Sequence, residues 1–250
     1  MRNQRDQHPT KILVIDLGGN QVKVLATGQA EKRKAPSGRA MTPVRMVAVV
    51  RELAAGWEYE AVSLGYAGPV GPEGPRADNP NLGPGWVGFD FAAAFGVPVK
   101  VINDAAMQAL GSYAGGRMLF LGLGTGVGSA LVSQQSILTL ELGQLRYTRK
   151  RTLNDVLGRA GLKRLGLEEW RRAVTEAVAF LKDAFAADYV MLGGGQAKKV
   201  GEPPPGARLG SNRCAFGGGY RLWGLELTPT LTPGGRQGEL PAADREWRLV

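Results

Sequence analysis

The chain of 250 residues is 44% hydrophobic and 21% charged, an ordinary composition for a globular protein with one large domain or two small lobes. A net charge of +9 favours anionic partners, but no aromatic-interleaved basic stripe or zinc-finger spacing accompanies it, so no nucleic-acid partner is predicted. The single cysteine, Cys214, excludes an internal disulfide and a multi-cysteine zinc site. Without a signal peptide or a run of roughly 18 apolar residues, the sequence predicts a cytoplasmic protein with no membrane partner.

Changes in composition divide the chain into four predicted segments. Residues 1–10 are polar and predict a flexible leader, residues 11–110 an N-terminal small lobe, and residues 111–225 a C-terminal large lobe. Residues 226–250 are rich in Pro, Gly, Thr and charge without periodicity, which predicts a disordered tail with no role in the fold. Strands alternate with helices in the order typical of an α/β protein.

The predicted elements begin with a hairpin over residues 11–25, in which two β-branched runs flank a Gly-Gly turn. Residues 28–40 are polar with Gly and Pro and predict a loop. A helix over 46–55 and a strand over 61–64 come next. Residues 68–85 are dense in Pro, Gly and Asn, which predicts irregular loop rather than core.

The clearest predicted helix covers residues 168–186, where apolar side chains recur on one face at helical spacing. Such a face indicates core packing rather than a cofactor site. The other predicted elements are a helix over 89–95, a strand over 97–102, a helix over 105–110, strands over 118–121 and 129–132, and a strand over 189–192.

Three glycine-containing loops, each placed after an apolar β-branched run, are the most informative feature. They cover Asp16–Asn20, Gly122–Gly128 and Gly193–Gly195. Glycine after a strand lets backbone N–H groups turn towards an anion, so three such loops suggest a phosphoryl-transfer protein. The second loop, which contains Gly124-Thr125-Gly126, matches neither the dinucleotide-binding pattern nor the Walker A pattern.

The first loop carries a carboxylate, a carboxamide and, a few residues downstream, a cation. Asp16 at the end of its strand can hold Mg²⁺ or its waters next to phosphates, and Asn20 can donate a hydrogen bond to a phosphate oxygen. Lys23 completes the motif. The alternative is an ordinary Gly-Gly hairpin whose Asp caps local amides.

Two further segments are candidates for catalysis and substrate binding. Asn103-Asp104 stands at a strand-to-helix junction, where Asp104 is either a helix cap or a general base. The only histidine, His8, lies in the predicted leader, so carboxylates take the role of base. Glu141 and Gln144 supply a carboxylate and a carboxamide suited to hydrogen bonding sugar hydroxyls, unless the segment is only a polar turn.

The order of these motifs resembles that of the ROK family of bacterial sugar kinases, particularly the compact branch that contains polyphosphate glucokinase. The shared motifs are Asp-x-Gly-Gly with a downstream lysine, a Gly-x-x-Gly-Pro loop, Asn-Asp-Ala, Leu-Gly-Thr-Gly-x-Gly, Glu-x-Gly and Gly-Gly-Gly, and they cover roughly residues 11–224. The resemblance implies an α/β protein with the two-lobed actin-like ATPase (ribonuclease H-like) fold. In this family, sugar and phosphoryl donor meet in the cleft.

The resemblance also implies roles for single residues. Asp104 matches the general base, and Asn81, Asn103 and Glu141 match sugar ligands. The residues that match the phosphate and nucleotide loops are Asp16, Gly18, Gly19, Asn20, Gly124, Thr125, Gly126, Gly193, Gly194 and Gly195.

The chain departs from the family pattern in several places. The family has threonine where this chain has Asn20, and a sugar-contacting histidine where it has Gln144. Ser133–Ser136 replaces a tight turn that commonly contains Asp-Gly. The zinc-binding cysteines of many relatives are missing, as they are in the polyphosphate branch.

The sequence therefore predicts a Mg²⁺-dependent hexose kinase that uses ATP or polyphosphate to phosphorylate the 6-hydroxyl of glucose or a related sugar. A homodimer is compatible with the resemblance. Two other readings stay open at this point. One is a protein of the same fold that binds sugar or nucleotide without turnover, and the other is an actin-like scaffold, which needs no Asn-Asp pair.

Overall fold

The computed structural model of the chain describes residues 9–211, 214–225 and 247–250. Most of the predicted leader, including His8, and the predicted tail from 226 to 246 lie outside the described residues. The elements of the first half are β1 (Ile12–Leu17), β2 (Gln21–Ala26), β3 (Arg33–Pro36), α1 (Pro43–Leu53), β4 (Ala61–Tyr66), β5 (Val70–Gly71), β6 (Gly74–Pro75), α2 (Phe91–Phe95), β7 (Val99–Asn103) and α3 (Asp104–Ser112).

The second half contains short strands, helices and a longer amphipathic helix. Its elements are β8 (Met118–Leu123), β9 (Val127–Ser133), β10 (Ser136–Leu140), β11 (Arg146–Thr148), β12 (Arg151–Thr152), α4 (Leu153–Leu157), α5 (Arg159–Leu165), α6 (Leu167–Ala184), β13 (Tyr189–Gly193), β14 (Ala207–Leu209), α7 (Cys214–Arg221) and β15 (Arg248–Leu249). Short 3₁₀ turns lie at Leu142–Gln144 and Ala197–Lys199. The order confirms the predicted α/β class.

Contacts divide the described residues into two compact units. One unit holds the residues up to Asp104 and those from Phe216 to Trp247, and the other holds Ala105–Ala215 and Arg248–Val250. The division therefore falls earlier than the predicted boundary after residue 110. It also places most of α7 with the first half of the chain rather than in the predicted lobe of residues 111–225.

Hydrogen bonds explain why α7 belongs to the first unit. The fully buried Ser63 of β4 donates through Oγ to the Gly219 carbonyl (2.6 Å) and accepts a hydrogen bond from Trp223 Nε1 (3.0 Å). Lys100 of β7 donates to the Leu222 carbonyl (2.9 Å). The segment after Ala215 is therefore anchored to the first sheet by hydrogen bonds between residues that are far apart in sequence.

The described part of the first unit contains a sheet with strand order β3-β2-β1-β4-β7. The strands β1, β4 and β7 run parallel, and their register places Leu17 beside Tyr66 and Tyr66 beside Asn103. Both β1 and β4 are buried along their whole length and are mostly apolar, as expected of central strands, with Asp16 and Ser63 as their polar exceptions. The carboxyl ends of three neighbouring strands consequently finish at the same edge of the sheet.

The described part of the second unit contains a sheet with order β14-β13-β8-β9-β10-β15. Its strands β8 and β13 are parallel, with Gly193 beside Gly122, while β8 and β9 form an antiparallel hairpin. The apolar face of α6, which includes Trp170, Val174 and Leu181, packs in one core cluster with these strands. The sequence prediction of a helix with a core-packing face is confirmed.

Three predictions about loops and the tail differ from the structure. The loop predicted over 28–40 contains β3, a polar edge strand that pairs with β2 and ends in proline, as edge strands tolerate. The predicted irregular segment 68–85 contains the β5–β6 hairpin and the buried Leu82. The predicted tail contributes β15, which pairs with Ser136 and Ile137 of β10, so its described end has a place in the sheet.

Candidate active site

The first glycine loop, Gly18–Asn20, leaves the sheet edge at the end of β1 and turns directly into β2. The Gly18 N–H donates to the Gln21 carbonyl (3.0 Å), which closes the turn. Ser37 supports it from outside by donating through Oγ to the Gly18 carbonyl (2.6 Å). The loop is therefore a hairpin turn, which agrees with the alternative interpretation of the sequence. It lies at the edge of the sheet where β4 and β7 also end.

Asp16 and Lys23 form an ion pair beside this loop. They face each other across the β1–β2 ladder, and Lys23 Nζ lies 2.8 Å from Asp16 Oδ2. The Asp16 side chain is only 10% exposed and that of Lys23 is 31% exposed. Because Oδ1 is not engaged by Lys23, Asp16 fits the role of holding a Mg²⁺-bound water, since Mg²⁺ sites often combine one carboxylate with waters and substrate phosphates.

Asn81 lies directly against the first glycine loop. A Cβ on Gly19 would come within 2.9 Å of the Asn81 Cβ, so glycine at position 19 is what allows the two segments to meet. The structure thus brings together a predicted sugar ligand and a predicted phosphate loop within the first unit.

The position of Asn81 depends on a hydrogen-bond network that the sequence analysis missed. The hydroxyl of the buried Tyr66 accepts a hydrogen bond from the Asn79 N–H (2.9 Å) and donates to the Ala77 carbonyl (3.0 Å). Asn79 Oδ1 in turn accepts from the Asn81 N–H (2.7 Å), and Asn79 Nδ2 donates to the Ala67 carbonyl. The Asn79-x-Asn81 spacing, typical of an Asx turn, is the signal that could have indicated this support.

Asp78 stabilises the same loop from its other side. Its carboxylate accepts hydrogen bonds from the N–H groups of Trp86 (2.8 Å) and Gly85 (3.1 Å). These backbone hydrogen bonds hold the pKa of Asp78 below its usual value. Trp86 itself is fully buried beside Tyr66, with ring centroids 5.2 Å apart, so the loop is tied to the core at both ends.

Asn103 and Asp104 occupy the end of β7 and the first residue of α3. The Asn103 side chain is buried, and its Nδ2 donates to the Gly68 carbonyl (2.9 Å). Asp104 is half-buried in the first turn of the helix, where open amides and the helix dipole favour a carboxylate. Register places this junction at the same sheet edge as the first glycine loop, with Leu17, Tyr66 and Asn103 side by side.

The second glycine loop, Gly124–Gly126, is the turn of the β8–β9 hairpin in the second unit. The Gly124 N–H donates to the Gly126 carbonyl (2.9 Å), and the Gly124 carbonyl accepts from the Arg159 N–H (3.0 Å). Thr125 at its tip is exposed. The Thr125 hydroxyl is therefore accessible, the Gly124 N–H is already engaged within the turn, and anion binding by this loop stays a prediction.

The third glycine loop, Gly193–Gly195, lies against the strand that leads into the second. Gly194 adopts a φ of +81°, and a Cβ there would come within 2.6 Å of the Leu123 carbonyl oxygen. The next residue, Gln196, donates its N–H to that carbonyl (2.8 Å). Parallel pairing of β13 with β8 thus brings two of the three predicted loops together within the second unit.

Glu141 directly precedes the short 3₁₀ turn Leu142–Gln144 and Gln144 is its last residue, and both side chains are exposed. Ser129 of β9 fixes this turn because its Oγ donates to the Leu140 carbonyl (2.8 Å) and accepts from the Leu142 N–H (3.1 Å). The two side chains of the predicted sugar-binding segment are therefore carried on a turn held to the same hairpin as the second glycine loop.

The predicted site residues thus form two groups, one in each unit. Asp104 and its neighbours at the first sheet edge make one group: Asp16, Gly18, Gly19, Asn20, Lys23, Asn81 and Asn103. The second group is Gly124, Thr125, Gly126, Glu141, Gln144, Gly193, Gly194 and Gly195. Each group combines backbone amides with carboxylate and carboxamide side chains, the chemistry needed to hold phosphate and sugar hydroxyls.

Among the described residues, no helix is both long and apolar enough to cross a membrane. Nor do three or more His, Cys, Asp or Glu side chains gather anywhere in the described ranges as potential metal ligands.

The fold is that of known sugar kinases. An inorganic polyphosphate/ATP-glucomannokinase from Arthrobacter sp. strain KM is similar over 83% of this chain and 96% of its own, with a TM-score of 0.69 and 23% identity. A ROK family glucokinase from Streptomyces griseus, solved with glucose and AMPPNP, is similar over 83% and 97%, with a TM-score of 0.67 and 17% identity. This protein therefore has the two-domain, actin-like ATPase fold of the ROK sugar kinases, as predicted.

A third structure and one curated relative extend the comparison. A ROK family protein from Streptococcus pneumoniae TIGR4, solved with sucrose, is similar over 86% of this chain and 98% of its own, with a TM-score of 0.70 and 15% identity. The bifunctional enzyme NanE/NanK of Brucella melitensis is 30% identical over 135 residues, 48% of this chain. The chain spans about a quarter of that relative's length. No family model matches the chain.

Proposed function

We propose that this protein is a ROK family sugar kinase that transfers a phosphoryl group to the 6-hydroxyl of glucose or a closely related hexose. The observation that carries the proposal is the common sheet edge in the first unit. There Asp104 begins a helix directly after Asn103 of β7, and the first glycine loop, with Asn81 packed against it, follows β1, which is separated from β7 only by β4. A scaffold of this fold would have no need for such a concentration of polar groups.

Asp104 acts as the general base in this proposal. It accepts the proton of the sugar hydroxyl as that oxygen attacks the phosphoryl group, a role worth about 10²–10⁴ in rate. Asn103 is held by its hydrogen bond to the Gly68 carbonyl (2.9 Å), and with Asn81 it binds sugar hydroxyls. Glu141 and Gln144 add a carboxylate and a carboxamide to sugar binding.

The glycine loops bind the phosphates of the donor. Their backbone N–H groups neutralise developing charge without the side-chain reorganisation that long cations would require. Asp16 is the residue that would hold Mg²⁺ through a bound water, and the ion would supply positive charge to offset that of the donor phosphates. Lys23 keeps Asp16 in place through the 2.8 Å ion pair.

The donor is ATP, and we further propose that inorganic polyphosphate serves as well. Arg149 and Lys150 form the turn of the β11–β12 hairpin, Arg151 begins β12, and all three are exposed. None of the three forms an ion pair with a described carboxylate. Such a cationic turn supports binding of a long polyanion, whereas ATP needs only the glycine loops and one or two cations.

The experiment is a coupled kinase assay with glucose, mannose, N-acetylglucosamine and N-acetylmannosamine, each tested with ATP and with polyphosphate. We expect turnover with glucose or mannose on either donor, and a polyphosphate KM that rises more steeply with salt than the ATP KM. Sugar binding without turnover on any donor would favour a non-catalytic protein. Turnover with ATP alone would refute the polyphosphate proposal and leave the kinase proposal intact.

Two properties of the working protein follow from the family resemblance. We propose that it acts in the cytoplasm and that it forms a homodimer. Light scattering during gel filtration tests the second point, and a mass of one chain of 26.6 kDa would contradict it.

A further inference from the structure

Asn154 connects two segments of the second unit that carry different predicted ligand-binding residues. It lies in the first turn of α4, whose start is fixed by a capping box between Thr152 and Asp155. From there Asn154 Oδ1 accepts a hydrogen bond (2.6 Å) from the N–H of Val127, which lies in the second glycine loop directly after Gly126. Neither composition nor motif spacing indicates this contact, because 27 residues separate the partners.

The amide of Asn154 also occupies the space between two glycines. A Cβ on Gly126 would come within 2.8 Å of Asn154 Oδ1, and a Cβ on Gly143 within 2.7 Å of Asn154 Cγ. Neither glycine has a positive φ, so their backbones would accept other residues. Glycine is needed at both positions because a larger residue would collide with a neighbouring group. At both positions that group is the Asn154 carboxamide.

The two glycines belong to different functional segments. Gly126 belongs to the second glycine loop, and Gly143 lies between Glu141 and Gln144 in the predicted sugar-binding turn. The approach of α4 to the loop is equally close at its other end, where a Cβ on Gly158 would come within 2.7 Å of the Thr125 carbonyl oxygen. The helix therefore approaches the second glycine loop at both of its ends, and the Asn154 carboxamide is what lies between α4 and the two glycines.

We infer that Asn154 is a positioning residue that holds the second glycine loop and the Glu141–Gln144 turn at a fixed separation. The inference rests on the proposed kinase function, in which the loop binds donor phosphates and the turn binds sugar. Because one carboxamide supports both segments, a single substitution at Asn154 weakens the binding of both substrates. Misplacement of a binding group by about 1 Å can cost up to 10²-fold in rate, so the effect is measurable.

The kinetic test compares Asn154→Ala with Asp155→Ala, a matched control in the same helical turn that loses the capping box. We expect Asn154→Ala to raise the KM of glucose and of the donor by at least about fivefold each. The control should lower Tm by a similar amount or more, with both KM values within about twofold of wild type. A change in only one KM, or equal KM changes in the two variants, would overturn the inference.

Two further variants separate positioning from simple packing. Gly143→Ala alone should impair activity because its methyl group meets the Asn154 amide, but it should add little in an Asn154→Ala background, where that space is open. Fully additive losses would contradict the shared contact. Asn154→Asp keeps the acceptor oxygen and should therefore keep the glucose KM near that of wild type.

Amide hydrogen exchange decides the inference independently of the proposed function. In the protein without substrates, Asn154→Ala should speed exchange in peptides that cover both 122–128 and 141–145, while Asp155→Ala should leave both segments as in wild type. Faster exchange in 122–128 alone would reveal only a lost hydrogen bond and would overturn the inference. A wild-type chain that phosphorylates no hexose would refute the proposed function, and the exchange result would still stand.

Discussion

Gly19→Ala tests the contact between the first glycine loop and Asn81. The backbone at Gly19 has no positive φ, so alanine is conformationally acceptable there. Its Cβ would nevertheless lie 2.9 Å from the Asn81 Cβ. Carbon atoms prefer separations of about 3.5–4.0 Å, so the two segments must move apart by roughly 0.6–1 Å. Because a displacement of about 1 Å in a binding group can cost 10²-fold, we expect kcat/KM for glucose to fall by roughly 10- to 100-fold.

The assay is steady-state kinetics of hexose phosphorylation, with Gly18→Ala as the comparison within the same loop. A Cβ on Gly18 would lie 3.5 Å from the Gln21 carbonyl oxygen, which is an ordinary contact, so its loss should be much smaller. Circular dichroism and Tm establish that both variants fold. If Gly19→Ala loses no more activity than Gly18→Ala, the packing of Asn81 on the loop has no functional consequence and the reasoning is refuted.

Three other substitutions test the site and its supports. Gln196→Met should raise the free energy of unfolding by about 1–3 kcal/mol in urea titrations, because the buried Gln196 Oε1 has no donor among the described residues; a decrease would mean that the amide makes a needed contact. Asp78 has a lowered pKa in the folded state, so its stabilising effect exists above the unfolded-state pKa and disappears as pH falls through the folded-state pKa. Asp78→Asn should therefore destabilise the protein at about pH 7 and converge with wild type in urea titrations at strongly acidic pH, whereas a constant difference would contradict this. Gln144→His should lower the glucose KM by about threefold to tenfold, since a hydrogen bond to a neutral hydroxyl contributes about 0.5–1.5 kcal/mol; an unchanged glucose KM with a shifted donor KM would exclude the assigned role.

Much of the fold could be predicted because the strands are long enough to show their pattern. The apolar runs at β1, β8 and β13 are buried in sheet centres, and each is followed by glycine, so the sequence alone indicates three loops at strand ends. The amphipathic face of α6 is equally clear over its length. Local signals of this kind do not depend on which distant segment packs against them.

The supports of the site could not be predicted because they join distant segments. Tyr66 lies just beyond the strand predicted over 61–64, and its hydrogen bonds to the loop that carries Asn81 are visible only in the folded chain. No element is predicted around Asn154, and the residues of β3 fall within the polar loop predicted over 28–40. The division of the two units also depends on contacts such as that from Ser63 to Gly219, which are 156 residues apart.

One departure from the family pattern, the segment Ser133–Ser136, leaves the tight turn between β9 and β10 in place. The segment Ser133–Ser136 still forms a tight two-residue turn between β9 and β10, with Gln134 and Gln135 at φ values of 47° and 63°. These are left-handed conformations that Asn, Asp or Gly adopt more readily than glutamine. The hairpin register of β9 and β10 is therefore imposed by the sheet rather than by the turn residues.

The most direct test of the account is the turnover of Asp104→Asn. The substitution keeps the size of the side chain and its place at the start of α3 but removes the carboxylate that accepts the proton. The account predicts that kcat with the best hexose falls by about 10²–10⁴, with Tm and the glucose dissociation constant close to those of wild type. A kcat within threefold of the wild-type value would show that Asp104 is only a helix cap, and would contradict the proposed mechanism.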